Sequence, residues 1–247
     1  MVYRSSNPAL APHLFQGGAT TERMTLDGTV NKTLALLALV SIGAMFSFSA
    51  VAQNPALGML IMIGAGLGGF VLAIAVLMIR PNNPQILMSM YAILEGLFIG
   101  AFSYMIENYY LSGGEGIILQ ALVGTVAVFL TMLTVYKFGI IKPTEKFVLV
   151  VSSLVGAIMI LYLFNFVLYL FGTTVPFLHS SGPIGIGISV IFITVAALML
   201  IVDFGMIENG VKYGAHKNME WYGAFGLVLT LVWLYIEMLK LVAKLRD

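Results

Sequence analysis

The chain contains no cysteine. Disulfides, thiolate nucleophiles and cysteine-ligated metals are therefore outside its chemistry. Charge is nearly as scarce. Only 9% of the 247 residues are Asp, Glu, Lys or Arg, against about 25% in an average soluble domain. So few charges cannot cover the surface of a soluble domain this long, and a polytopic membrane protein follows. The formal net charge is +1, and no basic patch is interleaved with aromatics, so there is no footprint for nucleic acid. The three histidines, His13, His179 and His216, are far apart and none falls within an apolar run. A zinc site needs clustered ligands. The opening 30 residues also lack the apolar core of a secretory signal. They contain Pro8, Pro12, Gly17 and Gly18, and read as a cytoplasmic tail (residues 1–30) with room for a short helix near residues 22–30.

What the chain has is apolar length: 60% of its residues are hydrophobic. A bilayer core of about 30 Å needs about 20 apolar residues in a helix. Seven stretches qualify: Asn31–Val51, Leu57–Ile79, Ile86–Ile106, Gly116–Tyr136, Phe147–Phe171, Ile184–Ile207 and Trp221–Ala243. The expected fold is all-α, with seven transmembrane helices over residues 31–247. The connections are short and carry turn signals, such as Asn54-Pro55, Lys142-Pro143 and the run Ser180–Pro183. Lys and Arg alternate between faces. Arg4 and Arg23 precede the first span and Lys32 stands at its start, Arg80 follows the second, Lys137, Lys142 and Lys146 follow the fourth, and Lys212 and Lys217 follow the sixth. The intervening connections hold neither, and cytoplasmic loops are the ones that carry Lys and Arg, so the N-terminus is placed in the cytoplasm. One cluster disagrees. Seven crossings put the C-terminus outside, yet Lys240, Lys244 and Arg246 lie there. Either the last segment is anchored against the rule, or it dips in and returns.

Three glycine-rich runs occur: GAGLGG at Gly64–Gly69, Gly96 with Gly100, and GPIGIG at Gly182–Gly187. The first fits a dinucleotide-binding pattern, but that pattern requires a preceding strand. Inside an apolar run, small residues that let membrane helices approach closely explain it better. DFG at Asp203–Gly205 matches a kinase motif without any other kinase element.

Polar groups at membrane depth are the informative minority, because they face protein or water rather than lipid. Glu95 lies mid-way along the third span, with Tyr91 one turn earlier on the same face. Asn165 lies in the fifth span, where it suits interhelical hydrogen bonding. Asp203 follows eight apolar residues in the sixth. Its neighbours three and four positions away, Met199, Leu200, Met206 and Ile207, are all apolar, so its partner must come from another helix or the group must hold a proton. Glu237 in the seventh span is three residues from Lys240 and can pair locally. Glu208 is four residues from Lys212, and Glu220 is a candidate partner for Glu208. Arg80 suits the headgroup level. Burial favours the protonated form of a carboxyl, and a second carboxylate nearby strengthens the effect. Two acids in contact titrate as a pair, and their oxygens are hard ligands suited to Ca²⁺.

SSNPAL, MTLDGTVNKT, YAILEGLFIG, DFGMIENGVKYGAHKNMEWYGAFGL and TLVWLYIEMLKLVAKL resemble the Bax inhibitor-1/YccA-like family, in its bacterial branch, over nearly the whole chain. That resemblance implies six helices wrapped around a central seventh. It also implies a pH-sensitive Ca²⁺ leak gated by two aspartates, on the sixth and seventh helices, with an arginine of the second helix engaging them. Asp203 fits the sixth-helix acid and Glu237 the seventh, as Glu rather than Asp. Glu95 fits the third-helix acid before glycine, and Arg80 is the candidate latch. The spacing departs from the pattern. With helix ends near Asn209 and Glu220, Asp203 would lie about 9 Å from the loop and Glu237 about 25 Å, so contact would require a bend, a displacement or another partner.

The expected function is a pH-sensitive calcium leak channel of the inner membrane. Asp203 is its sensor, Glu237 or Glu95 the co-sensor, and calcium at Asp203 a candidate. The alternative is a regulator without transport, acting on a stress response or a membrane protease. An enzyme is not expected: an intramembrane protease would want a Ser/His pair or paired aspartates at depth, and Asp203 is the one aspartate there. No cofactor is expected, and the partners are lipid, calcium or a membrane protease.

Overall fold

The structure, a computed structural model, describes residues 22–79, 81, 83–110 and 116–246. Arg80 and the first 21 residues of the tail lie outside the described residues. Helix α1 is Leu26–Gln53, α2 Leu57–Ile79 and α3 Gln85–Met105, the last running into a π turn at Ile106–Tyr110. Then come α4 (Ile117–Lys137), α5 (Glu145–Leu170), a four-residue α6 (Pro176–His179), α7 (Pro183–Lys212) and α8 (Met219–Arg246). Among the described residues there is no strand. One isolated bridge joins Arg23 to His216.

Seven of these helices are long and apolar enough to cross a membrane, so the all-α, seven-span expectation holds. α1 begins at Leu26, before the first expected span. Thr25 caps it: its Oγ1 accepts from the Gly28 N–H at 3.0 Å, and Asp27 sits in the first turn, where a negative charge complements the helix dipole. Thr144 caps α5 in the same way, accepting from Phe147 N–H at 3.3 Å. α8 runs unbroken for 28 residues, about 42 Å at 1.5 Å per residue. It exceeds the bilayer core and has no break at which it could turn back. Half of the apolar core of α7 and of α8 is buried, against 17% in α2, α4 and α5. Lipid-facing surface is thus concentrated on the latter three.

The described chain falls into two compact units. One holds residues up to Ser112 with Met206–Leu229, the other Gly113–Gly205 with Thr230–Asp247. In the first unit α1 and α3 touch backbone to backbone. A Cβ on Gly96 would lie 2.9 Å from the Val40 carbonyl carbon, and one on Gly100 would lie 2.8 Å from that of Ala44. The GAGLGG run of α2 faces α3 through Gly66, Gly68 and Gly69, against Phe98, Leu94 and Glu95. The close approach expected of the GAGLGG run therefore exists, and Gly96 with Gly100 makes another. In the third run, a Cβ on Gly187 would meet nothing within 4 Å, so GPIGIG brings no helix close at that residue.

The second unit has an apolar cluster of Ile158, Val175, Leu178, Phe192 and Val195, with Tyr162 and Trp233 packed against it. Phe204 of α7 lies edge-on to Phe129 (5.8 Å) and beside Tyr136 (5.6 Å), both on α4. Two threonine hydroxyls at depth are satisfied within their own helices, Thr125 donating to Ala121 O at 2.8 Å and Thr194 to Val190 O at 2.8 Å, whereas Ser152 Oγ is buried without a hydrogen-bond partner among the described residues.

Candidate functional site

Asp203 sits on α7 in the second unit, 1% exposed. Its Oδ2 accepts a hydrogen bond from Thr230 Oγ1 of α8 at 2.6 Å, and Thr230 is itself buried. Asp203 Oδ1 is buried and has no hydrogen-bond partner among the described residues. An unmet buried acceptor costs about 1–3 kcal/mol, and more if charged. The side walls are apolar. Met199, Leu200, Met206 and Ile207 are all buried, and Pro143 packs against Gly205 so closely that a Cβ there would meet the proline ring.

The Thr230 contact follows from helix register. α7 continues to Lys212 rather than ending near Asn209, so Asp203 lies about 14 Å from its end. α8 starts at Met219, which puts Thr230 about 17 Å in and Glu237 about 27 Å in. Thr230 is at matching depth and Glu237 is about 10 Å beyond it. Asp203 and Glu237 therefore do not form a di-acid pair, and the residue that faces the sixth-span acid carries a hydroxyl.

Glu237 belongs to a different cluster of the same unit. Its Oε1 accepts from Lys240 Nζ at 2.7 Å, Tyr162 OH at 2.6 Å and Trp233 Nε1 at 3.2 Å. Lys240 Nζ also donates to the Tyr162 oxygen at 2.5 Å and lies 4.6 Å from the centre of that ring. The local pairing expected from the three-residue spacing is present. One turn on, Lys244 donates to Gly185 O and Ser189 Oγ, each at 3.0 Å. Lys240 and Lys244 are thus engaged inside the protein. This gives a structural reason for positive residues at the end of the seventh span.

The first unit holds two more acids. Glu95 of α3 is hydrogen-bonded by Tyr91, one turn away as expected, and lies against Gly69 of α2. The Tyr91 ring meets Phe225 edge-on at 4.9 Å. Glu220, 1% exposed and a candidate partner for Glu208 from sequence, is bound elsewhere. Its carboxylate accepts from Lys32 Nζ and, at 2.9 Å each, from Thr25 N–H and Thr25 Oγ1. Repulsion between two acids would oppose the expected pairing, and the Lys32 ammonium offers attraction instead. Gly28 makes room for it, since any Cβ there would collide with the Glu220 carboxylate. Glu208 is exposed. Asn165 corrects a further expectation: its Oδ1 accepts from Val175 N–H at 2.9 Å, fixing the α5–α6 connection of its own hairpin rather than joining two spans.

No group of three or more His, Asp or Glu residues that could hold a metal ion occurs among the described residues. Ca²⁺ takes six to eight oxygen ligands, and Asp203 with Thr230 offers far fewer. Thr230 and Tyr162 carried no signal that flagged them in sequence, and Lys32 was read as a mark of orientation alone. A hydroxyl in an apolar run registers neither as charge nor as turn.

A family model described as Bax inhibitor 1 like matches residues 7–247. No match is found among curated proteins or among solved structures. With seven spans, an acid buried on the sixth and a family model covering nearly its whole length, the chain belongs to the Bax inhibitor 1 like family.

Proposed function

We propose that the protein is a pH-sensitive calcium leak pathway of the inner membrane, with its N-terminus in the cytoplasm and Asp203 as the group that holds and releases the controlling proton. The observation that supports it is the placement of Asp203: 1% exposed, one oxygen on Thr230, the other oxygen with no partner among the described residues. A neutral carboxyl tolerates that setting, and a carboxylate calls for a cation or water. With the proton on, the contact between α7 and α8 stays shut. With it off, the bare oxygen attracts Ca²⁺, a hard cation that prefers oxygen ligands. A single acid suffices, since Glu237 is neutralised by Lys240. Membership of the family supports the class of function.

Calcium flux into liposomes should rise between about pH 6 and 8, a window that brackets a buried carboxyl. In Asp203→Asn, which keeps the neutral shape at every pH, flux at the alkaline end should stay at the acid-end level. Equal flux in the two proteins throughout would remove Asp203 as the sensor. Reporters fused to the two ends should appear on opposite faces of the membrane, since seven spans are an odd number of crossings. Finding both on one face would overturn the seven crossings, and an N-terminal reporter outside the cytoplasm would overturn the orientation.

A further inference from the structure

We infer that Thr230 is the positioning residue that holds the Asp203 carboxyl in both of its protonation states, and so sets the pH at which the pathway responds. This deepens the proton-holding role proposed for Asp203 and rests on it. A hydroxyl carries one donor hydrogen and two acceptor lone pairs. Against an ionised Asp203, the Thr230 O–H donates to Oδ2. Against a protonated Asp203, the carboxyl O–H donates to Thr230 Oγ1. The 2.6 Å separation suits an O–H···O bond in either direction. A carboxylate at this position would have to share a proton, and the two groups would titrate together. An ammonium would hold the acid charged. A hydroxyl permits one acid to exchange one proton with little rearrangement.

The groups around the pair leave Thr230 in charge of this exchange. On α7 the flanking residues are Met199, Leu200, Met206 and Ile207. From α4, Phe129 and Tyr136 approach through the Phe204 ring, and the Tyr136 phenol is the titratable group on that side. Pro143 covers Gly205 from the α4–α5 connection, where Lys137 and Lys142 are exposed. Along α8 the next titratable groups are the buried phenol of Tyr235 and then Glu237, already bonded to Lys240, Tyr162 and Trp233.

The test uses the full chain in liposomes and reads two quantities against pH. One is calcium flux. The other is the infrared carbonyl band of the protonated carboxyl, assigned by its loss in Asp203→Asn. Thr230→Val keeps the shape and removes the hydroxyl, so both forms lose a hydrogen bond and the ionised form loses the stronger one. The midpoint of the infrared titration should move to higher pH by about one unit, the scale of the difference between a hydrogen bond to a charged group and one to a neutral group. The flux midpoint should move with it. Thr230→Ser should restore both. If the valine protein does not assemble, Thr230→Ala is expected to show the same shift. An infrared midpoint unchanged in the valine or alanine protein, or a serine protein shifted as far as valine, would overturn the role of Thr230. A shifted infrared midpoint in proteins that pass no calcium would support Thr230 and overturn the calcium reading. A pH-dependent flux with one midpoint in every Thr230 variant would overturn Thr230 and leave the calcium reading standing.

Discussion

Glu237→Ala is expected to destabilise the protein by about 3–5 kcal/mol, the cost of stripping one partner from a buried ion pair. Glu237 is 1% exposed and Lys240 22%, so the ammonium left behind has little water to turn to. Three donors lose their acceptor at once, because Oε1 takes the bonds of Lys240, Tyr162 and Trp233. Its partial exposure lets Lys240 recover some solvation, which places the expected loss near the lower end, about 3 kcal/mol. Detergent-induced unfolding followed by tryptophan fluorescence measures it, and Trp233 is a reporter within the cluster. The comparison that isolates the charge is a triple change, Glu237→Met with Lys240→Met and Tyr162→Phe. It removes donors and acceptor together, and apolar replacement of a buried pair is often neutral or stabilising. Most of the loss should then return. A triple variant as unstable as Glu237→Ala would show that shape, not charge, is what the cluster contributes. The single variant should still respond to pH through Asp203, because Glu237 lies about 10 Å beyond Thr230 along α8.

The span count was readable because each crossing needs about 20 apolar residues and the chain interrupts such runs with turn residues. Span ends were less readable for physical reasons. Glu208 and Asn209 look like an exit from the membrane, yet α7 continues to Lys212, since a helix has no reason to stop where the bilayer does. That added length moves the level of Asp203 along α8 to Thr230, and Glu237 remains about 10 Å beyond it. Asp203 itself was conspicuous as a lone acid after an apolar run. Thr230 was not, because a neutral hydroxyl leaves the apolar pattern of its helix intact. The Glu237–Lys240 pair was legible from its three-residue spacing, whereas Tyr162 is 75 residues away from Glu237 and Lys32 is 188 from Glu220. Pairings of that range depend on tertiary packing, and local periodicity does not encode it. The four-residue α6 falls below the length at which periodicity exists at all.

Gly96→Ala and Gly100→Ala should each destabilise the first unit by about 3 kcal/mol, the upper end of the overpacking range. The obstacle to a new methyl group is backbone: the carbonyl groups of Val40 and Ala44 on α1. A side-chain tip can swing aside, but a carbonyl in a helix moves only if the helix moves. Separating α1 from α3 also disturbs Gly43, where a Cβ would lie 2.8 Å from Ile93 O, so the strain cannot be relieved by sliding along the contact. The double variant should cost less than the sum of the two, because one outward shift of α1 relieves both clashes and the sites are coupled. Gly64→Ala and Gly156→Ala are the controls. Nothing lies within 4 Å of a Cβ at either position, so neither change should destabilise, and the higher helix propensity of alanine should stabilise each by up to about 1 kcal/mol. Thermal unfolding in detergent would separate the two classes. If all four alanines behaved alike, the distance between α1 and α3 would not be set by glycine, and the close-approach reading of Gly96 and Gly100 would fail.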